Sequence, residues 1–255
     1  MTAPALRVES LSVSFGSLHA LREVSWECSG GEILGLIGPN GAGKSTCLEA
    51  ATNMVNRRGR VFLNGADITA LPTWELAPRG LRRAFQQNAF FGELSVLENM
   101  TGMLIRSQGT SLFSSICTPW VEAARRRASE QRAVEILERF SISRQYHDIH
   151  PGKIPYGVQR LLSVALAYAD GAQILLLDEP AAGLGGEDIE QLAILLRDLR
   201  QEGLALVLIE HHMDLVMAVA DRIVVLNQGS VLFTGRPDEV RSDARVVDAY
   251  LGGVQ

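Results

Sequence analysis

A chain of 255 residues allows one large domain or two small ones, with ample surface to bury a core. Hydrophobic content of 47%, charged content of 21% and a net charge of −5 describe an ordinary globular protein and argue against a general nucleic-acid binder, which carries a basic stripe. Cys28, Cys47 and Cys117 form no C-x-x-C pair, which suits a reducing compartment and offers no metal cluster. The first residues hold no apolar signal-peptide core, and no apolar run approaches the about 18 residues of a membrane span. A soluble or peripheral protein is expected.

Residues 5–28 alternate in short β-type runs, Leu11–Phe15 and Val24–Cys28, with turns at Gly16-Ser17 and Gly30-Gly31. Glu32–Ile37 is a short apolar segment of buried-strand type, and Lys44–Ala51 can form a helix. Between them runs GPNGAGKST, Gly38 to Thr46 (Gly38, Pro39, Asn40, Gly41, Ala42, Gly43, Lys44, Ser45, Thr46), which fits G-x-x-x-x-G-K-[ST]. Strand, glycine-rich loop and helix together make successive backbone N–H groups converge beside a helix N-terminus, so polyphosphate is held largely by main chain. Gly41 and Gly43 are expected to let the backbone approach the phosphates without a Cβ in the way. Only Lys44 and Lys153 are lysines; every other strong base is arginine. A compact ammonium therefore stands where a point charge, rather than a planar fork, suits phosphate.

After that helix, Arg60–Leu63 and an Asn64-Gly65 turn read as a further hairpin, residues 73–79 as a short helix, and 81–85 as a strand. From about Ser95 to Ala169 the sequence is mostly helical. Trp120–Phe140 places Val121, Ala124, Ala128, Ala133, Ile136, Leu137 and Phe140 near a 3.6-residue period, with Arg125–Arg127 on a solvated or lipid-facing side. Residues 107–118, rich in serine and glycine, read as a loop. The α/β rhythm then returns: strand 173–177, helix 187–201, strand 204–210, helix 213–219, strand 222–227, turn 227–230 and strand 231–234. Such alternation predicts a mainly parallel sheet covered on both faces.

The second chemical stretch is Ile174–Pro180, four apolar residues followed by Asp178 and Glu179. Open α/β sheets bind ligands beyond the carboxyl ends of their strands. An acid here supports Mg²⁺ together with the loop hydroxyl, Ser45, and its neighbour Glu179 is placed to polarise a water. The bland alternative is a helix-capping acid pair.

Taken together, these stretches resemble the ATP-binding subunits of ABC transporters, over essentially the whole chain. Gly38–Thr46 resembles the family's Walker A motif and Ile174–Glu179 its Walker B. The resemblance implies an α/β P-loop NTPase core, about residues 1–90 and 170–255, with an antiparallel β subdomain and a helical subdomain over about 91–169. It further implies ATP and Mg²⁺ as cofactors. Gln86 takes the place of the Q-loop glutamine, reaching metal and water beside Ser45 and Asp178; His211 that of the switch histidine at the γ-phosphate; Phe15 that of the aromatic residue stacking on adenine. The remaining histidines, His19, His147, His150 and His212, have no such place.

The family's signature, usually LSGGQ, reads here Ile154-Pro-Tyr-Gly-Val-Gln-Arg160. Of Pro155, Tyr156, Gly157, Val158 and Gln159, only Gly157 keeps the motif's polar core. Pro155 stands where the family has a serine that bonds the γ-phosphate across a dimer interface. Gly185 likewise replaces the usual D-loop aspartate. The resemblance implies an ATPase that works at a dimer interface, with a weak signature that points to a different second ATPase subunit. Two membrane permease subunits and, indirectly, a periplasmic or extracellular solute-binding protein complete the expected assembly, on the cytoplasmic face of the inner or plasma membrane. Leu177–Leu184, Ile209–Leu215, the Tyr156-Gly157 pair and the ending Asp248–Gly252 resemble the first ATPase subunit of importers for branched-chain amino acids, urea and short amides. The alternatives are the ATPase of a lipopolysaccharide-type exporter and a non-hydrolysing regulatory subunit. Phe90 and Phe91, after the Q-loop, belong either to the core or to the cup for a permease helix.

Overall fold

The computed structural model describes residues 4–84, 90–107, 119–169 and 171–251. In chain order these form β1 (Leu6–Phe15), β2 (Leu18–Cys28), β3 (Ile33–Ile37), α1 (Lys44–Ala51), β4 (Arg58–Leu63), β5 (Ala66–Asp67), β6 (Leu81–Ala84), α2 (Val96–Ser107) and α3 (Pro119–Arg139). There follow α4 (Tyr156–Tyr168), β7 (Ile174–Asp178), α5 (Gly186–Gln201), β8 (Ala205–Ile209), α6 (Met213–Val219), β9 (Arg222–Asn227), β10 (Ser230–Gly235), α7 (Pro237–Ser242) and α8 (Ala244–Leu251).

The six-stranded sheet has the order β10-β9-β3-β8-β7-β6, parallel except for the β9–β10 hairpin. Its strands β3, β7 and β8 are buried along their whole length, so their alternate residues feed two different cores. Ile33, Ile37, Leu175, Leu177, Leu206 and Leu208 pack with the helices α4, α5 and α6. Leu34, Leu36, Ile174, Leu176, Val207 and Ile209 face the other way, onto α1 and the second sheet. That sheet, β2-β1-β4-β5, is antiparallel and presents Leu6, Val8, Leu11, Val13 and Trp26 inward. The predicted two-faced cover is therefore built differently on each side: helices on one, the phosphate-loop helix and an antiparallel sheet on the other.

Several boundaries differ from expectation. Residues 73–79 form two 3₁₀ turns, Thr73–Glu75 and Ala77–Arg79, instead of one helix. Pro78 supplies the reason, since it has no N–H to continue an α-helical ladder. In α3 the buried stripe is Ser129, Ala133, Ile136 and Leu137, continued by Phe140 just after the helix, while Ala124 and Ala128 are exposed. Alanines define a face weakly, because so little surface is at stake in turning them to solvent. Helices α7 and α8 have no counterpart in the sequence reading. Of the expected loop at 107–118, Ser107 ends α2 and the rest, with Cys117, lies outside the described residues.

Cys47, on α1, is buried beneath Trp26, whose Nε1 donates to Sγ at 3.1 Å. Burial pushes its thiol from 9.0 up to about 12, and the buried Cys28 thiol is raised as well. Above pH 9 the unfolded chain loses thiol protons that the folded chain keeps, so stability falls as pH rises. Cys47 is expected to contribute up to about 1.4 kcal/mol per pH unit to that fall. Urea denaturation across the alkaline limb checks this: Cys47→Ala should make the decline shallower, and an unchanged slope would refute it.

Candidate functional site

The loop after β3 is shaped by its neighbours before any ligand is considered. At Gly38, φ is +152° and a Cβ would lie 2.1 Å from the Leu226 carbonyl oxygen at the end of β9. At Gly43, φ is +98° and a Cβ would lie 2.7 Å from Ala20 O and 2.8 Å from Leu21 Cδ2. Close packing against β9 and β2 thus demands glycine at 38 and 43, a reason the sequence did not display. The β9–β10 turn closes the arrangement, because the Gly229 amide donates to Ala42 O (3.1 Å) and the Arg22 amide to Gly229 O (2.7 Å).

Helix α1 begins with no side-chain cap, so its first N–H groups are left to an incoming anion. Lys44 is buried, and its ammonium donates to Gly38 O (2.7 Å) and Pro39 O (3.1 Å). Burial draws its pKa below the usual lysine value, against the opposing pull of Glu179 and Asp178. A nucleotide's negative charge would relieve that penalty. Tyr250 of α8 also reaches this loop: burial raises the pKa of its phenol, against the opposing pull of the nearby Gly38 backbone.

Opposite the loop, β7 and β8 end side by side, with Asp178 paired to Ile209. Glu179 follows with φ +51°, a left-handed conformation that non-glycine residues adopt at a cost and that often marks a functional turn. Its amide donates to Ile209 O at 2.9 Å, and its Oε1 lies 2.8 Å from His211 Nε2. His211 is 49% exposed and Glu179 18%, so the pair faces the cleft from a partly dry wall. Behind them Glu210 is buried and accepts from three amides: Ala181 (2.6 Å), His211 (3.0 Å) and His212 (3.3 Å). That carboxylate ties the turn carrying Glu179 to the turn carrying His211.

These walls enclose a cleft of about 600 Å³ lined by Phe15, Asn40, Gly41, Ala42, Gly43, Lys44, Ser45, Thr46, Glu179 and His211. Gly38 and Pro39 sit behind the loop as acceptors for Lys44. Phe15, 51% exposed, ends β1 at the rim, and its cross-strand partner Leu18 lines the cleft beside it. Asp178, the last residue of β7, does not itself line the cleft; its Oδ2 accepts from Arg83 (2.7 Å), and its Oδ1 is buried without a protein partner. An unsatisfied carboxylate oxygen and the exposed Ser45 hydroxyl form a small hard-oxygen donor set. That set suits Mg²⁺ bound largely through phosphates and water, and no cluster of three or more acidic, histidine or cysteine ligands occurs among the described residues. Gln86 lies outside the described residues.

Pro155, Tyr156, Gly157, Val158 and Gln159 do not line this cleft. Pro155 is the N-cap of α4, in extended conformation with no side-chain capping bond. Tyr156 stacks with Arg160 (5.2 Å) and packs on Gly183, while a Cβ at Gly157 would meet Asp188 Oδ2 at 2.8 Å. Gln159 Nε2 donates to Ile154 O at 3.0 Å.

Residues 21–182 match the model of the family described as ABC transporter. The chain belongs to the ABC transporter family. It is one of the family's ATP-binding subunits, a nucleotide-binding ATPase coupled to transport, and such cassettes dimerise and work with membrane permease subunits. Residues 230–254 also match the branched-chain amino acid ATP-binding cassette transporter model. The chain is similar to the high-affinity branched-chain amino acid transport ATP-binding protein LivG of Salmonella typhimurium, 39% identical with 99% of each chain covered. BraF of Pseudomonas aeruginosa, with the same description, is 36% identical over 99% of each. The lipopolysaccharide export system ATP-binding protein LptB of Haemophilus influenzae is 31% identical over 97% of each. Among solved structures, the ADP conformation of an ATP-binding cassette of an ABC transporter superposes with TM-score 0.83 and 30% identity, covering 98% of this chain and 100% of that one.

Glu210 lies inside the Ile209–Leu215 stretch of resemblance, but nothing in the sequence assigned it a role of its own. Replacing it by glutamine turns one acceptor into a donor facing an amide. Loss of a hydrogen bond to a buried charge is worth about 1.5–3 kcal/mol. Glu210→Gln should therefore lower ATPase turnover roughly 10- to 150-fold while nucleotide affinity is retained. Steady-state rates alongside nucleotide titration test this, and normal turnover would remove Glu210 from any positioning role.

Proposed function

We propose that this chain hydrolyses ATP at a split dimer interface to drive an importer of branched-chain amino acids or related small polar solutes such as urea and amides. The observation that carries the catalytic part is the Glu179–His211 contact of 2.8 Å at the mouth of the phosphate-loop cleft. The solute class rests on similarity to LivG and BraF along their full length.

In this reading Lys44 and the amides of residues 41–46 neutralise the β- and γ-phosphates. Ser45, Asp178 and Gln86 hold Mg²⁺, which supplies charge neutralisation on the phosphate oxygens. Glu179 takes a proton from the attacking water, and His211 orients Glu179 and meets the γ-phosphate. Phe15, with Leu18 beside it, gives the adenine an apolar platform. Glu179→Gln keeps the bond to His211 possible while removing the base. That variant should bind ATP normally and hydrolyse it roughly 10²–10⁴-fold more slowly. Near-normal turnover would exclude Glu179 from the role.

The second half of each site comes from the partner's signature. Pro155 has no hydroxyl to offer, and Gly185 no carboxylate. Two copies of this chain would build two sites with poor signatures, whereas a different subunit with an intact signature would complete one good site on these Walker residues. We therefore assign the active form to a heterodimer. A missing bond to the γ-phosphate should hold turnover of this chain alone about 10- to 150-fold below that of the mixed pair. Full transport-coupled activity from this chain with only its membrane subunits would overturn the assignment. The same deficit disfavours a lipopolysaccharide-type exporter working as two identical subunits.

The permease is assigned to a groove of about 400 Å³ lined by Met54, Thr73, Leu76, Phe91, Asn99 and Ser163. Phe90 packs against the core, while Phe91 is 69% exposed and held outward by Asn99, which accepts from the Phe91 amide and donates to its carbonyl. No described helix is long and apolar enough to cross a membrane. We assign the chain to peripheral attachment at the cytoplasmic face of the membrane, as one ATP-binding domain with a core over about residues 1–90 and 170–255 and a helical subdomain over about 91–169. A solute-binding protein on the far side acts through the permease, and nucleic acid has no part.

A further inference from the structure

Arg83 belongs to no motif, yet its guanidinium touches both Asp178, the carboxylate assigned above to the metal, and the wall of the groove assigned to the permease. It lies on the edge strand β6, opposite Leu176 in the parallel register that carries β7 to Asp178. Its Nη2 donates to Asp178 Oδ2 at 2.7 Å, with the two side chains 8% and 4% exposed. Its Nη1 lies 3.5 Å from the sulfur of Met54, whose side chain is exposed on the groove wall. Asp178 Oδ1 is buried with no protein partner.

Burying a guanidinium and a carboxylate together is at best neutral for stability, so stability alone gives no reason for such a pair. A planar fork that grips one oxygen does fix the other, because the carboxylate can no longer rotate. We propose that Arg83 is a positioning residue that holds Asp178 with Oδ1 presented to Mg²⁺, and that through Met54 it is the contact by which the groove bears on the metal site. This rests on Asp178 being the metal carboxylate, as assigned above. The acid's geometry is then set from the side on which the permease docks.

The test measures binding of a fluorescent ATP analogue to the full chain, in EDTA and across a Mg²⁺ titration, so that no turnover is needed. Asp178→Asn tests the underlying assignment. It should abolish the Mg²⁺-dependent gain in affinity, and a retained gain would remove Asp178 from metal binding whatever Arg83 does. Given that loss, Arg83→Met should raise the half-saturating Mg²⁺ concentration roughly 10- to 100-fold, the usual effect of removing an outer partner of a metal ligand. Affinity in EDTA should stay unchanged, and Arg83→Lys should recover part of the shift. An unchanged half-saturation point, or an equal loss in both media, overturns the proposal. If Arg83→Met does not fold, Arg83→Lys is judged on the same two measurements. Met54→Ala should raise the half-saturation point in the wild-type background and add nothing to Arg83→Met. No shift in wild type, or the same shift in both backgrounds, would sever the groove from the metal site.

Discussion

The site depends on two neighbouring parallel strands, β7 and β8, ending at the same level. Parallel pairing of Asp178 with Ile209 sets that level. One residue later on each strand, Glu179 and Glu210 leave the sheet together. The Glu210 carboxylate then collects three amides from both turns, so neither turn can move without the other. A buried carboxylate with that many donors is strongly held in one orientation. The strained backbone of Glu179 is affordable in this setting because its amide and its side chain are both fixed, to Ile209 O and to His211.

The phosphate loop is the mirror case, a backbone held by close approach. Gly38 lies against Leu226 O and Gly43 against Ala20 O, so the loop's curvature comes from packing on β9 and β2. Lys44 is kept in place by the loop's own carbonyls. Its buried ammonium is short of negative charge, which is what a polyphosphate brings. Binding energy is thus not spent on building the loop.

The sequence made the local parts of this site legible and hid the parts formed at a distance. Gly38–Thr46 and Ile174–Glu179 carry their chemistry in consecutive residues, and buried strands announce themselves by unbroken apolar runs, so both were readable. The strand and helix order was readable too, down to Met213–Val219 and Arg222–Asn227. Arg83, Glu210 and Tyr250 are single polar residues whose meaning depends on contacts with Asp178, Ala181 and Gly38, far away in the chain. Ser129 took a core position that periodicity would give to Ala128, because a small side chain on a charged helix carries almost no pattern. Helices α7 and α8 escaped for a related reason: each is a short amphipathic turn or two whose helicity comes from docking.

Of the Asp248–Gly252 ending, which first served only as a mark of resemblance, Tyr250 has a physical place in the structure. Tyr250 packs on the helical core and its phenol reaches the backbone of Gly38, the first glycine of the phosphate loop. The chain therefore returns at its end to the loop that follows its third strand. Gly38 is then confined from two directions, by Leu226 O on β9 and by Tyr250 on α8. Together with the clasp of Gly229 on Ala42, this makes the strands and helix after residue 222 a brace for the nucleotide loop.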